Sequence, residues 1–439
     1  MLGSSIESNV FHYSAAISAC EKKGDWQLAM SLLSTMPDVS VWPNVITYSA
    51  AISACEKGCQ WQIALSLLST MPDKRVMPDA VCCNAATSAC EKGGQWQLAL
   101  RLLSTMPRIR VRPNEISCNA AISACEKGSQ WRLALCILAT MPHIQWMPSV
   151  ISYSAAISAC EKGGQWQMAL RLLSTMPCIG VTPNKISWNA AISACEKGRQ
   201  WQLVLSLLST MPEMKLMPDE ISYNAAISAS ACEKGGQWQL ALGLLSSMPD
   251  MKLKPDIISY NSAISACEKG GHWLLALNLL SGMLPGKVAP DEITYSAAIS
   301  SCKIPGEWTV ALCLFRRMLG SRILPDSGSS TSATVTAVNQ GGPWQLAHAL
   351  FSQMPEARLA PDIATHGALI LACSSQRQWQ LGVSLVSVMP LAGSTFAVSY
   401  QAVVSACEAA GSLKTAATLL LELDILMPVT CRNIYGAPK

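Results

Sequence analysis

Residues 45–79 read Val45-Ile46-Thr47-Tyr48-Ser49-Ala50-Ala51-Ile52-Ser53-Ala54-Cys55-Glu56-Lys57-Gly58-Cys59-Gln60-Trp61-Gln62-Ile63-Ala64-Leu65-Ser66-Leu67-Leu68-Ser69-Thr70-Met71-Pro72-Asp73-Lys74-Arg75-Val76-Met77-Pro78-Asp79. The same phrase returns along the chain, with Trp26, Trp61, Trp96, Trp131, Trp166 and Trp201 spaced by 35 residues each time. Units begin at Val10, Val45, Ala80, Glu115, Val150, Lys185, Glu220, Ile257 and Glu292, and degenerate copies begin at Gly328, Ile363 and Ala397. A fixed period of this length is the signature of a stacked repeat architecture, which overrides any domain count taken from the chain's 439 residues.

Each unit divides into two short helices. Pro78-Asp79 supplies a residue that cannot extend the preceding helix, followed by an N-cap acceptor, so a helix is expected from Ala80. Gly93-Gly94 closes it. The left-handed conformation just past a helix end suits glycine, and Gly58, Gly128, Gly163, Gly198, Gly235 and Gly270 stand at the equivalent place. A second helix is expected over about Gln60–Met71, stopped by Pro72. Such a hairpin cannot hide its apolar faces alone, so the expected fold is all-α: an α-solenoid of helix-turn-helix 35-residue repeats in a right-handed superhelix. Trp61, Ile63, Leu65, Leu67 and Leu68 are candidates for the seams between hairpins, and platforms for stacking bases are the alternative role for the tryptophans.

Composition narrows the chemistry. Half the residues are apolar, 14% are charged and the net charge is +4 with no basic block, which selects neither for nor against a polyanionic partner. Eight of the nineteen cysteines recur once per repeat, at Cys20, Cys55, Cys90, Cys125, Cys160, Cys195, Cys232 and Cys267, and they read as buried reduced thiols. Zinc sites of the finger or deaminase type lack their ligands: there is no Cys-x-x-Cys, and none of the five histidines begins His-x-Glu. No metal, cofactor or small-molecule substrate is expected. Residues 1–9 show neither a signal nor a transit peptide, and the uncharged stretch 378–407 reads as two repeat helices, not a membrane span.

The repeat resembles the pentatricopeptide repeat: an apolar-Thr/Ser-Tyr-Asn/Ser start, Lys-Gly in the turn, Ala-Leu in the second helix, Met near its end and Pro-Asp/Asn as the last two residues, as in Ile151-Ser152-Tyr153-Ser154 through Pro183-Asn184. The resemblance covers residues 10–428. It implies single-stranded RNA as partner, one base per repeat, with the fifth and last residues selecting the base. Those pairs are Ser14/Asn44, Ser49/Asp79, Asn84/Asn114, Asn119/Ser149, Ser154/Asn184, Asn189/Asp219, Asn224/Asp256, Asn261/Asp291 and Ser296/Asp326. By the family's correspondence they spell 5′-A-G-C/U-C-A-U-U-U-G-3′, and Ser332/Asp362 adds a guanine. Asp, Asn and Ser after proline also serve as N-caps, and both roles are compatible, because capping leaves a carboxylate oxygen for the fifth residue or the base.

The resemblance assigns two further sets. Ile46, Val81, Ile116, Ile151, Ile186, Ile221, Ile258 and Ile293, each second in its unit, match the residue that sandwiches bases, with ordinary helix core as the alternative. Lys22, Lys57, Lys92, Lys127, Lys162, Lys197, Lys234 and Lys269 form a candidate phosphate row, although a lysine also suits a helix C-terminus and the adjoining glutamates dilute its charge.

The expected organisation is an N-terminal extension (1–9), nine regular repeats (10–326), three degenerate capping repeats (327–428) and a tail (429–439). Ser230-Ala231 is an insertion that rotates the rest of its helix and threatens the placement of Asn224. Gly367 and Gln401 replace base readers in the last two units. The function implied is RNA binding in organellar processing, stability, editing or translation, in chloroplasts or alternatively mitochondria. Catalysis falls to protein partners, and no membrane is involved. A scaffold for proteins or peptides is the competing reading.

Overall fold

A computed structural model describes residues 9–231, 237–302, 307–321 and 323, then short stretches and single positions between 345 and 418, the longest being 378–388 and 394–410. Among the described residues the regular elements are helices, arranged as successive hairpins. The repeat beginning at Val45 folds as Val45–Lys57 and Trp61–Thr70, and the next as Ala80–Lys92 and Trp96–Thr105. Two compact units, 1–225 and 226–439, are recognised.

Within each unit the first helices pack side by side, and each second helix packs against its own first helix and that of the next repeat. Alanines permit the close approach: Ala51, Ala54, Ala86 and Ala89 have no exposed surface. Ile52 and Met71 are also fully buried, as are Ile122, Met141, Ile192 and Met211 in later repeats. Burying a side chain of this size contributes about 1.5–3 kcal/mol, and most repeats add the same set, although Thr87 takes the isoleucine's place in the third. The unbranched methionine fills the gap left where the second helix ends.

The turn between helices differs from expectation. Gly58, Gly93, Gly128, Gly163, Gly198 and Gly270 are right-handed, with φ between −75 and −84°. The left-handed residue is the next one, Cys59 at φ 56°, Gly94 at φ 68° or Arg199 at φ 55°. The reason for glycine is steric: a Cβ on Gly58 would overlap the indole of Trp26, and the same holds for Gly93 and Trp61, Gly128 and Trp96, Gly163 and Trp131, and Gly198 and Trp166. The first repeat has no preceding tryptophan, and Lys23 stands at that place. This places those tryptophans at inter-repeat seams, at the far end of the first helix from the fifth residues.

Pro72 also behaves differently. Its fixed φ is itself helical, so it opens a 3-10 turn, Pro72–Lys74, where an abrupt stop was expected. In the fifth repeat the helix Trp166–Cys178 runs through Pro177.

The cysteine ladder is buried at Cys20, Cys55, Cys90, Cys125, Cys160, Cys195 and Cys267, and these thiols are free. Cys232 lies outside the described residues, and Ser230 takes the buried place that cysteine holds in other repeats. No described helix is long and apolar enough to cross a membrane. The uncharged stretch 378–407 contains parts of two helices, Trp379–Val388 and Ser394–Ala409.

Candidate nucleic-acid interface

The last residue of one repeat is the N-cap of the next repeat's first helix, and this fixes it in space. Backbone N–H groups donate to the side chains of Asn44 (from Thr47, 2.9 Å), Asp79 (Cys82, 2.9 Å), Asn114 (Ser117, 2.9 Å), Asn184 (Ser187, 2.9 Å), Asp219 (Ser222, 3.0 Å), Asp256 (Ser259, 2.9 Å) and Asp291 (Thr294, 2.9 Å). Ser149 caps differently: its hydroxyl lies 3.3 Å from that of Ser152. Asp326 lies outside the described residues.

The fifth residue meets that cap. The amide nitrogen of Asn189 donates to both carboxylate oxygens of Asp219 at 3.1 Å, and Asn261 donates to Asp291 Oδ1 at 3.1 Å. Ser154 Oγ lies 3.3 Å from Asn184 Oδ1. At Asp291 the capping oxygen, Oδ1, also takes the amide, whereas at Asp219 Oδ1 caps and Oδ2 joins it in holding the amide, so the expected division of labour between the two oxygens is seen only in part. Each oxygen has two lone pairs, which makes this possible. Burial acts to raise the Asp219 carboxyl, but hydrogen bonds from the Ser222 N–H, Lys185, the Ser222 hydroxyl and Asn189 outweigh it and hold the group below its ordinary value. Asp291 is lowered in the same way, by Thr294 and Asn261.

The remaining fifth residues sit in other settings. Ser14 and Ser49 donate to backbone oxygens of Phe11 (3.0 Å) and Ile46 (2.9 Å), keeping oxygen lone pairs open. Asn84 is 8% exposed and its Oδ1 is buried without a partner. Asn119 accepts from Ser152 at 2.6 Å. Asn224 and Ser296 are buried. The Ser230-Ala231 insertion lies beyond Asn224 in the same helix, and Ser222, Tyr223, Ala226 and Ile227 are buried like Thr47, Tyr48, Ala51 and Ile52, so Asn224 keeps its place.

The second residues are not core. Ile46, Val81, Ile116, Ile151, Ile186, Ile221, Ile258 and Ile293 are between 55 and 64% exposed, although helix residues of this kind are usually buried. Phe11 continues the row at the first repeat and is 75% exposed. It was not among the residues expected from the sequence, although its second place in the first unit was a sufficient signal.

The lysines are tied across repeats. Lys57 pairs with Glu21 (3.3 Å), Lys92 with Glu56 (3.0 Å), Lys127 with Glu91 (3.2 Å), Lys162 with Glu126 (2.9 Å) and Lys197 with Glu161 (2.9 Å). Each partner is the glutamate of the preceding repeat. Lys269 instead donates to the carbonyl of Ala231 at 2.9 Å, where the insertion has moved the glutamate two places on. Lys22 is exposed, and Lys234 lies outside the described residues. Lys185, which sequence reasoning did not select, pairs with Asp219 at 3.0 Å.

These observations define an α-solenoid of helical hairpins that carries, per repeat, a polar fifth residue, a capping last residue and an exposed apolar side chain. The chain belongs to the pentatricopeptide repeat family. Models of that family match residues 8–57 and 255–304 (PPR repeat family), 66–128, 136–198 and 206–270 (pentatricopeptide repeat domain), and 46–76 and 186–216 (PPR repeat), together more than half of the chain. A comparison with curated proteins found no match. Among solved structures, the chain is similar to the pentatricopeptide repeat protein PPR10 from maize, with a TM-score of 0.56 and 18% identity over 95% of this chain and 69% of that one. A structure of PPR10 in complex with an 18-nucleotide psaJ RNA element gives a TM-score of 0.62 at 18% identity, covering 90% of this chain and 61% of that one. At this identity the likeness is one of fold.

Proposed function

We propose that the array binds single-stranded RNA with one base per repeat. The observation that carries this reading is the recurrence, every 35 residues, of a polar fifth residue near the next helix's N-cap and an exposed apolar residue three places before it, as in Ile186, Asn189 and Asp219. The polar pair can present donors and acceptors to a base edge, and the aliphatic surface can cover a base face. The RNA complex of PPR10, a protein of similar fold, supports the reading.

In this reading the nine pairs select 5′-A-G-C/U-C-A-U-U-U-G-3′, with the N-terminal repeat at the 5′ end. Lys57, Lys92, Lys127, Lys162 and Lys197 are available to phosphates only in competition with the glutamates they already pair with, whereas Lys22 is exposed. Residues 10–326 form the reading array and 327–428 close it. The setting is RNA processing, stability, editing or translation in a chloroplast, with the mitochondrion as alternative, and catalysis supplied by protein partners. Binding of A-G-C-C-A-U-U-U-G RNA with loss on scrambling is the expected result. The absence of RNA binding together with a co-purifying protein would instead support the scaffold reading, which is favoured by an apolar groove between the second helices of adjacent repeats lined by Leu65, Leu68, Pro72, Leu98 and Leu102.

A further inference from the structure

Among the described residues, fully buried hydroxyls reach backward across a repeat boundary. Ser152 donates to Asn119 Oδ1 at 2.6 Å, Ser222 to Asn189 Oδ1 at 2.7 Å and Thr294 to Asn261 Oδ1 at 2.6 Å. Each is the third residue of its repeat, and each Asn is the fifth residue of the repeat before. We propose that this hydroxyl is a positioning residue for base selection: it holds the neighbouring amide oxygen, so that the Asn offers an N–H, not a carbonyl, to the base. The inference rests on the base-reading function proposed above.

The direction of the bond is set by proton bookkeeping. A hydroxyl has one proton and two lone pairs. The third residue's oxygen accepts the backbone N–H of the N-cap residue, from Ser149 at 3.1 Å, Asp219 at 3.3 Å and Asp291 at 3.1 Å. Its own proton is thereby free to be donated. Two acceptors compete for it in the Asp-capped repeats, and the amide oxygen is the nearer: 2.7 against 2.9 Å for Ser222 and 2.6 against 2.7 Å for Thr294. The carboxylate at the other end accepts only, so it takes the amide nitrogen. A flipped amide would set its carbonyl against Asp219 or Asp291. Held from both ends, the Asn keeps one amide hydrogen for the ligand, and this suits a base edge that presents an acceptor.

Asn84 shows what happens without the hydroxyl. The third residue of the next repeat, Ser117, donates to the backbone oxygen of Asn114 at 2.8 Å, and Asn84 Oδ1 is left buried and unpartnered. An amide so released can present either its oxygen or its nitrogen. It therefore accepts cytosine or uracil, while Asn189 and Asn261, held by both the hydroxyl and a carboxylate, are fixed to one face; Asn119 is held by Ser152 but capped by Ser149, which has no carboxylate to take its nitrogen, and stays outside that rule.

The test uses the full chain and A-G-C-C-A-U-U-U-G RNA with the third, sixth or eighth base exchanged. Ser222→Ala is expected to reduce the preference for uracil over cytosine at the sixth base by about fivefold to tenfold, the scale of one hydrogen bond, while Ser222→Thr retains it. Thr294→Val should do the same at the eighth base. Ser117→Ala disturbs an equivalent helix cap but should leave selectivity at the third base unchanged. A general loss of stability would weaken every base alike. The proposal is overturned if Ser222→Ala and Thr294→Val keep full uracil preference while Asn189→Ala abolishes it at the sixth base. If Asn189→Ala changes nothing there, base reading itself fails, and the hydroxyl's role falls with it.

Discussion

Gly93 stands so close to Trp61 of the preceding repeat that a Cβ on the glycine would overlap Cδ1 of the indole. Trp96 makes the same approach to Gly128. Gly128→Ala should therefore destabilise the array by about 1–3 kcal/mol, the usual cost of overpacking a seam. Trp96→Ala in the same chain should cancel most of the alanine's added cost, and urea denaturation of the two single variants and the double variant measures that coupling. Gly94→Ala, with nothing near its Cβ but φ at 68°, should lose only about 1 kcal/mol and show no coupling to tryptophan.

Asn189→Ser should shift the preference at the sixth base from uracil to guanine. The amide that Asp219 holds at 3.1 Å disappears, and a hydroxyl beside the same carboxylate takes its place. Competition binding with the four bases at that position measures it.

Ile186 is 64% exposed, so its removal should affect binding much more than folding. Ile186→Ala is expected to weaken RNA binding severalfold, from loss of roughly 1 kcal/mol of apolar contact, with the midpoint of unfolding nearly unchanged. A fall in stability equal to the fall in affinity would show that the side chain supports the fold instead.

Freeing a lysine should reveal whether its row tracks phosphates. Glu91→Gln releases Lys127, and Glu126→Gln releases Lys162, at a stability cost below about 1 kcal/mol because these pairs face solvent. If the lysines meet the backbone, affinity rises and the slope of log K against log salt steepens by about 0.7 per phosphate gained. An unchanged slope in both variants means that the lysines are inter-repeat clamps alone.

The buried thiols give the array an alkaline limit. Burial pushes Cys55, Cys90, Cys125, Cys160, Cys195 and Cys267 up to about 11 from 9.0. A group whose folded value is raised contributes stability that is complete below its unfolded value and is lost as pH climbs toward the folded one. The melting temperature should thus fall between about pH 9 and pH 11, less steeply in a chain carrying Cys125→Ala and Cys160→Ala. In the same vein, exposed Cys59, Cys136 and Cys178 should alkylate at neutral pH in the folded protein, while the ladder reacts only after unfolding.

The repeat's own sequence determined the period, the two helices and the caps between them, because each depends on neighbours within a few residues: Asp79 caps the helix it precedes, and Trp61 begins the second helix. Periodicity also marked Asn189, Asp219 and Ile186 as equivalent positions in successive copies. It did not say which copies touch. Tertiary structure decided that Gly58 is needed for the indole of Trp26 and not for a left-handed turn, that Lys57 belongs to Glu21, that Ile186 is exposed, and that the hydroxyl of Ser222 reaches Asn189. These partners lie about 30–36 residues apart, and a contact of that kind depends on how one hairpin is set against the next, which equivalence along the chain leaves open.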